Sequence, residues 1–167
     1  MAQGFFGRYT CPLDEKFRVV LPARLRESVA ADRLRDGVVL TQGFEGCVML
    51  FLRDDWRDLS ERMDKLPFVN RKARFFKRFF LSSAQETAID KIGRLMIADS
   101  LREVSGIQRE AVFIGMQSYI EVWEPGRWKK FFADNLKQYE EGAEEVASSL
   151  FGAVGPSGPA PIDERRG

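Results

Sequence analysis

Two short stretches of this chain carry the same pair of charged residues at the same spacing. Asp14 and Arg18 stand in Leu13-Asp14-Glu15-Lys16-Phe17-Arg18-Val19-Val20-Leu21, and Asp90 and Arg94 in Ile89-Asp90-Lys91-Ile92-Gly93-Arg94-Leu95-Met96-Ile97. An arginine side chain presents a planar fork of N–H donors, which suits a phosphate or the O6/N7 edge of guanine. An aspartate opening a tight turn accepts hydrogen bonds from the turn amides. Lys16 and Lys91 add positive charge at the turn tips. Two roles are open to each aspartate: it neutralises its arginine and stiffens the turn, or it holds the arginine in position. Two copies, beside short segments carrying Arg24, Arg26 and Arg102, favour the second role.

This is the chemistry of recognition rather than of bond making. The chain has no histidine, so the commonest general acid–base group and the commonest metal ligand are missing. It has neither a phosphate-binding glycine loop nor a nucleophile motif. Cys11 and Cys47 stand alone, without a Cys-x-x-Cys pair, so no metal site and no cofactor are expected. Either both are small buried hydrophobes or one disulfide joins them.

The elements that must carry these residues are themselves repeated. The two motif stretches lie 76 positions apart, and each runs into the same tripeptide, Leu25-Arg26-Glu27 and Leu101-Arg102-Glu103. Val38-Val39-Leu40-Thr41 matches Val112-Phe113-Ile114-Gly115 at an offset of 74, and 48–56 matches 120–128 at 72. The shrinking offset places the length changes in connections. A period this long is a duplicated small domain, since solenoids repeat every ~20–50 residues.

Within the first copy, 5–21 reads as two short strands joined by a turn at 14–17. Pro22 then opens a short helix with Leu25 and Val29 on one face. Residues 38–42 and 47–52 form a hairpin around Gly43-Phe44-Glu45-Gly46. Asp54 and Asp55 favour a helix start, Trp56, Leu59, Met63 and Leu66 follow at helical spacing, and Pro67 ends the run. The second copy repeats this order: strand–turn–strand over 86–97, a short helix capped by Asp99 or Ser100, a hairpin over 111–114 and 119–123, and a helix opened by Pro125. Between the copies, 71–81 predicts a helix with Arg71, Arg74 and Arg78 on one face and Phe75, Phe76, Phe79 and Phe80 as core on the other. From 147 onward Ser, Gly, Pro and Ala dominate, which predicts disorder over 147–167.

Each copy, at about 55–60 residues, is marginal alone, so the halves are expected to share a core or the chain to oligomerise. The 167 residues are 44% hydrophobic and 31% charged, as in a soluble globular protein. No apolar run reaches the ~18 residues of a membrane span, and Met1-Ala2-Gln3-Gly4 lacks the regions of a signal peptide. A cytoplasmic location is expected. The net charge of +1 hides a basic stretch at 71–78 and an acidic one at 134–145.

The chain resembles the MraZ family of bacterial transcriptional regulators of the division and cell-wall gene cluster. The resemblance rests on several features. They are Phe5-Phe6-Gly7 nine residues before Asp14, the two Asp-x-x-x-Arg motifs, Pro22-Ala23-Arg24-Leu25-Arg26-Glu27, the basic linker from Asn70 to Leu81, and Val112-Phe113-Ile114-Gly115. It spans roughly 5–140. The resemblance implies an α+β fold of duplicated AbrB-type, swapped-hairpin, β-barrel-like modules with short and connecting helices. The modules would cover 5–66 and 86–140, joined by a basic connecting helix over 67–85. It further implies a ring of identical subunits on the nucleoid, which binds G-rich direct repeats in double-stranded DNA upstream of its own operon.

The motif arginine is the family's DNA-contacting residue, which lands on Arg18 and Arg94, with Asp14, Asp90 and Gly93 supporting. Lys16, Lys91, Arg24, Arg26 and Arg102 would meet phosphates. Two departures stand out. Phe17 replaces the glycine that usually precedes the arginine, so either the first turn differs or Phe17 points outward as a contact. The N-terminal Phe-Arg-Gly reads Phe5-Phe6-Gly7, with Arg8 one place later.

Three other functions compete with a DNA-binding repressor. An antitoxin-like regulator would bind a protein through the acidic and flexible C-terminus, but such proteins normally carry one module. An enzyme acting on a phosphorylated substrate lacks every motif named above. A single-strand RNA binder would stack bases on the phenylalanines, whose helical spacing points to a core. Neither a membrane nor a small-molecule substrate is expected as a partner.

Overall fold

Two strands flank the first charged corner: β1 (Arg8–Pro12) and β2 (Arg18–Val20). The computed structural model describes residues 4–151. After β2, Pro22 sits at the N-cap of α1 (Ala23–Glu27), which buries Leu25. A second short helix, α2 (Ala31–Arg35), was not foreseen, because five residues with one leucine carry no readable period. Its Arg33 pairs with Asp54 and Asp55 at 3.5 and 3.1 Å. Strands β3 (Val38–Gln42) and β4 (Val48–Leu52) form the expected hairpin, and α3 (Arg53–Asp64) follows with Asp54 and Asp55 in its first turn. α4 (Arg71–Ser82) leads to the second copy: β5 (Gln85–Thr87), β6 (Arg94–Met96), α5 (Asp99–Ser105), β7 (Glu110–Gly115), β8 (Ile120–Trp123) and α6 (Pro125–Phe151).

The copies do not fold side by side; they exchange strands. β1 pairs with β7 of the second copy, and β5 pairs with β3 of the first. All pairs are antiparallel, in a six-stranded sheet ordered β1-β7-β8-β4-β3-β5, with β2 and β6 forming a separate ribbon. Equivalent strands meet at the centre: Met49 faces Glu121, its counterpart at offset 72, and Val19 faces Leu95, its counterpart at offset 76. The two halves are therefore related by an approximate two-fold axis through both pairs.

One core serves both copies, as their size predicted. Val19, Leu21, Leu25, Leu40 and Leu50 from the first pack with Leu95, Ile97, Leu101, Phe113 and Val122 from the second. β3 and β4 are almost continuously buried, which explains their near-unbroken apolar sequences.

Several expectations need correction. On α4 only Phe80 is buried, packed against Trp56 with ring centroids 5.6 Å apart. Phe75 and Phe79 are 59% and 54% exposed and touch each other at 4.9 Å. Four phenylalanines at 75, 76, 79 and 80 span too wide an arc for one helix face to bury, and the outer pair shares its side with Arg71 and Arg78. At α5 the N-cap is Ala98, without a side-chain cap bond. Asp99 instead pairs with Arg102 inside the helix, and the Ser100 hydroxyl accepts from Gln85 Nε2 at 2.9 Å. Cys11 and Cys47 are both free, which rules out the disulfide alternative. Cys47 is buried, as expected of a small hydrophobe, and burial, aided by the Glu121 charge, pushes its thiol up to about 12. Cys11 is only half-buried.

The chain forms two compact units, the first ending at Lys130 and the second beginning at Phe131. Of the stretch expected to be disordered, 147–151 is the last part of α6, and 152–167 lies outside the described residues.

Candidate nucleic-acid interface

Both corners are built by the same set of hydrogen bonds. In the first, the Lys16 and Arg18 amides each donate to Asp14 Oδ1 at 2.9 Å, and the Phe17 amide donates to the Asp14 carbonyl at 2.9 Å. In the second, the Ile92 and Arg94 amides donate to Asp90 Oδ1 at 3.1 and 2.9 Å, and the Gly93 amide donates to the Asp90 carbonyl at 2.9 Å. The turn needs a left-handed residue just before the arginine. Gly93 supplies it with φ +87°, and Phe17 adopts it too, at φ +56°. The first corner is thus not a different turn, and the Phe17 side chain is 37% exposed with Arg102 over its ring.

The aspartates hold their arginines by one edge. Arg18 Nε and Nη2 both reach Asp14 Oδ2 at 2.8 Å, and Arg94 Nε reaches Asp90 Oδ2 at 2.7 Å. The contact engages Nε of both arginines and also Nη2 of Arg18, which leaves Nη1 of Arg18 outside it; a fork of two parallel N–H groups is what a guanine edge accepts.

The charge state of the pair follows from the same bonds. The Arg18 amide above all, with the Arg18 side chain and the Lys16 amide, holds the Asp14 carboxyl below its ordinary value against the opposing effect of desolvation. For Asp90 the Arg94 amide and side chain do the same. Because both folded values are lowered, the corner's contribution is complete above the ordinary carboxylate range and is lost only as pH falls through the lowered values. Carboxyl-carbon NMR titration should place both midpoints below 3.8. A midpoint at or above that value for either residue would mean that the corner is not held as described.

The β2–β6 ribbon brings the corners together. Arg18 pairs with Met96, Val19 with Leu95 and Val20 with Arg94. Val19 and Leu95 point into the core, so Arg18, Val20, Arg94 and Met96 share the outer face. Arg18 and Arg94 are diagonal neighbours on it, ~7–8 Å apart at Cα. The repeat thus builds one two-armed surface rather than two separate sites. Val20 and Met96, both exposed, are members that sequence reasoning missed. Their signal was present in the alternation Arg-x-Val and Arg-x-Met after each turn.

The remaining basic candidates divide. Lys16 and Lys91 are exposed within the corner turns, and Arg24 is exposed on α1. Arg26 and Arg102 do not project outward. The Arg26 Nε donates to the Leu21 carbonyl at 3.0 Å and its side chain lies against Gly93. The Arg102 Nε donates to the Ile97 carbonyl at 3.2 Å, with Cζ 3.4 Å from the centroid of the Phe17 ring. Among the described residues, no cluster of side chains could hold a metal ion and no helix is long and apolar enough to cross a membrane.

Strand exchange about a two-fold axis, with paired Asp–Arg corners on one ribbon, defines an α+β protein made of two intertwined, duplicated modules. The chain belongs to the MraZ family. The family model described as "MraZ protein, putative antitoxin-like" matches it twice, over 5–79 and 80–149. It is 38% identical over 142 residues to the "Transcriptional regulator MraZ" of Heliobacterium modesticaldum, covering 85% of this chain and 96% of that protein. The protein of the same name from Clostridium beijerinckii is 39% identical over 132 residues, covering 79% and 89%. That of Pelotomaculum thermopropionicum is 36% identical over 148 residues, covering 89% and 99%.

Proposed function

We propose that this protein is a transcriptional regulator, without catalysis, which represses its own division and cell-wall gene cluster by reading direct repeats in double-stranded DNA upstream of it. The observation that carries the reading is the β2–β6 ribbon, with two arginines held by their inner edges on one exposed face. A two-stranded ribbon fits the major groove. Arg18 and Arg94 read guanines, Val20 and Met96 offer apolar contact to thymine methyls, and Lys16, Lys91 and Arg24 settle on phosphates. The protein works in the cytoplasm on the nucleoid. Anisotropy of a labelled upstream duplex across a salt series tests this. Tight, salt-dependent binding that prefers the upstream duplex to a scrambled one is expected; equal binding to both would sink the reading.

One ribbon makes few base contacts, so the regulator acts as a homo-oligomer, a ring whose subunits meet several repeats at once. The exposed Phe75 and Phe79 on α4 support self-association, since contiguous exposed aromatics mark contact surfaces. Phe75→Ser with Phe79→Ser should lower the mass seen by light scattering without lowering the melting temperature. An unchanged mass would remove α4 from the subunit interface.

A second reading, a regulator that also binds a protein partner, is favoured by the family description and by exposed Leu136, Tyr139, Val146 and Leu150 on α6. Their spacing of three, seven and four residues makes an apolar stripe. Co-purification of a partner at stoichiometric amounts, lost with Tyr139→Ser and Val146→Ser, would establish it.

A further inference from the structure

Arg26 and Arg102 occupy equivalent places in the two copies, and each lies across the corner of the other copy. A Cβ on Gly93 would stand 2.8 Å from Arg26 Nε and 2.9 Å from its Cδ and Cζ, so the first copy's arginine fills the space over the second corner. The Arg102 guanidinium of the second copy lies over the Phe17 ring at the first corner, its Cζ 3.4 Å from the centroid. Backbone bonds reinforce the crossing: the Leu21 amide donates to the Gly93 carbonyl at 2.9 Å, and the Ile97 amide to the Phe17 carbonyl at 3.2 Å. Leu21 and Ile97 are the same residues whose carbonyls accept from Arg26 and Arg102. Each corner residue so gripped immediately precedes the arginine of its motif.

We infer that Arg26 and Arg102 are positioning residues that act crosswise: Arg102 of the second copy sets the direction of Arg18, and Arg26 of the first sets that of Arg94. The two sides use different chemistry. At the second corner Arg26 occupies the space that a side chain at Gly93 would take. At the first, a bulky residue held at positive φ is strained, and the guanidinium over the ring face keeps it there. Phe17 and Arg102 thus form a matched pair, and the Phe-for-Gly departure at position 17 is accommodated by a residue 85 positions further along the chain. A phosphate contact and a positioning residue predict different things. The first tolerates lysine and contributes to the salt dependence. The second needs the flat guanidinium and its Nε–H and contributes nothing to it.

The inference about DNA rests on the proposed function, and its test separates the two. In the full chain, Arg102→Ala and Arg102→Lys are both expected to reduce preference for the upstream duplex over scrambled DNA about tenfold. The slope of affinity against salt should stay unchanged, whereas losing a phosphate contact would lower it by about one. Arg102→Ala should add nothing in an Arg18→Ala background and keep its full effect with Arg94→Ala; Arg26→Ala should show the reverse. Without DNA, amide hydrogen exchange reports the crossing directly. Arg102→Ala should accelerate exchange of the Arg18 amide and spare that of Arg94. Rescue by lysine, a reduced salt slope, additive effects in both backgrounds, or faster exchange at Arg94 would each overturn the crossed assignment. Crossed exchange with no loss of DNA preference in Arg18→Ala would instead keep the positioning and remove the DNA reading.

Discussion

Replacing Arg18 and Arg94 together by alanine is expected to abolish the preference for the upstream duplex over scrambled DNA and to leave the melting temperature nearly unchanged. Each arginine that meets a guanine with its outer fork contributes ~1–3 kcal/mol of discrimination. Each single variant should therefore lose roughly 5- to 150-fold in preference at one subunit's ribbon. Both side chains are about one-third exposed, so truncation opens no cavity. Anisotropy against specific and scrambled duplexes, with circular dichroism melts of the same samples, measures both halves of the expectation. Retained preference in the double variant would show that the ribbon does not read sequence. Loss in one single variant only would assign reading to that corner.

The largest effect on stability is expected from Phe113→Ala. Phe113 is fully buried on β7, opposite Tyr9 of β1 on one side and Val122 of β8 on the other. Truncating a buried phenylalanine costs ~3–5 kcal/mol, from lost burial and the cavity left behind. Because β7 carries the first strand of the other copy, the loss is shared. Denaturant unfolding should shift to lower midpoint as one transition, with fluorescence and far-UV signals coinciding. Two separated transitions would mean that the copies unfold independently, which the exchanged sheet forbids.

The sequence made much of this legible. The repeated Asp-x-x-x-Arg, with its offset of 76, exposed the duplication, and strand formers beside turn residues placed eight strands close to where they lie. What it hid was the pairing between copies. Strand periodicity says which residues face inward, but β1 against β7 and β3 against β5 are contacts across the repeat, and no local pattern encodes them. The swapped arrangement was legible only through resemblance. The same blindness made Arg26 and Arg102 look like surface cations, since Gly93 and Phe17 are distant in sequence. On α4, the run of phenylalanines suggested a buried face, whereas a helix lying on a sheet buries a narrow stripe, and Phe75 and Phe79 fall outside it. At Phe17 steric expectation suggested a possible change of turn; the hydrogen bonds to Asp14 and the overlying Arg102 keep the turn as it is at Gly93.

The meeting of Met49 with Glu121, and of Val19 with Leu95, has a consequence for the number of chains this fold requires. A chain carrying only one copy would leave each of its four strands without a partner that the other copy supplies here, and a second molecule would have to supply all four. Fusion of the two copies in one chain places inside it contacts that separate one-copy chains would have to make between molecules. Fusion also released the halves from identity. In a homodimer any change at one corner appears at both, along with whatever lies over it. In the fused chain position 17 is a phenylalanine while its counterpart is Gly93, so the two corners present different surfaces on one backbone turn.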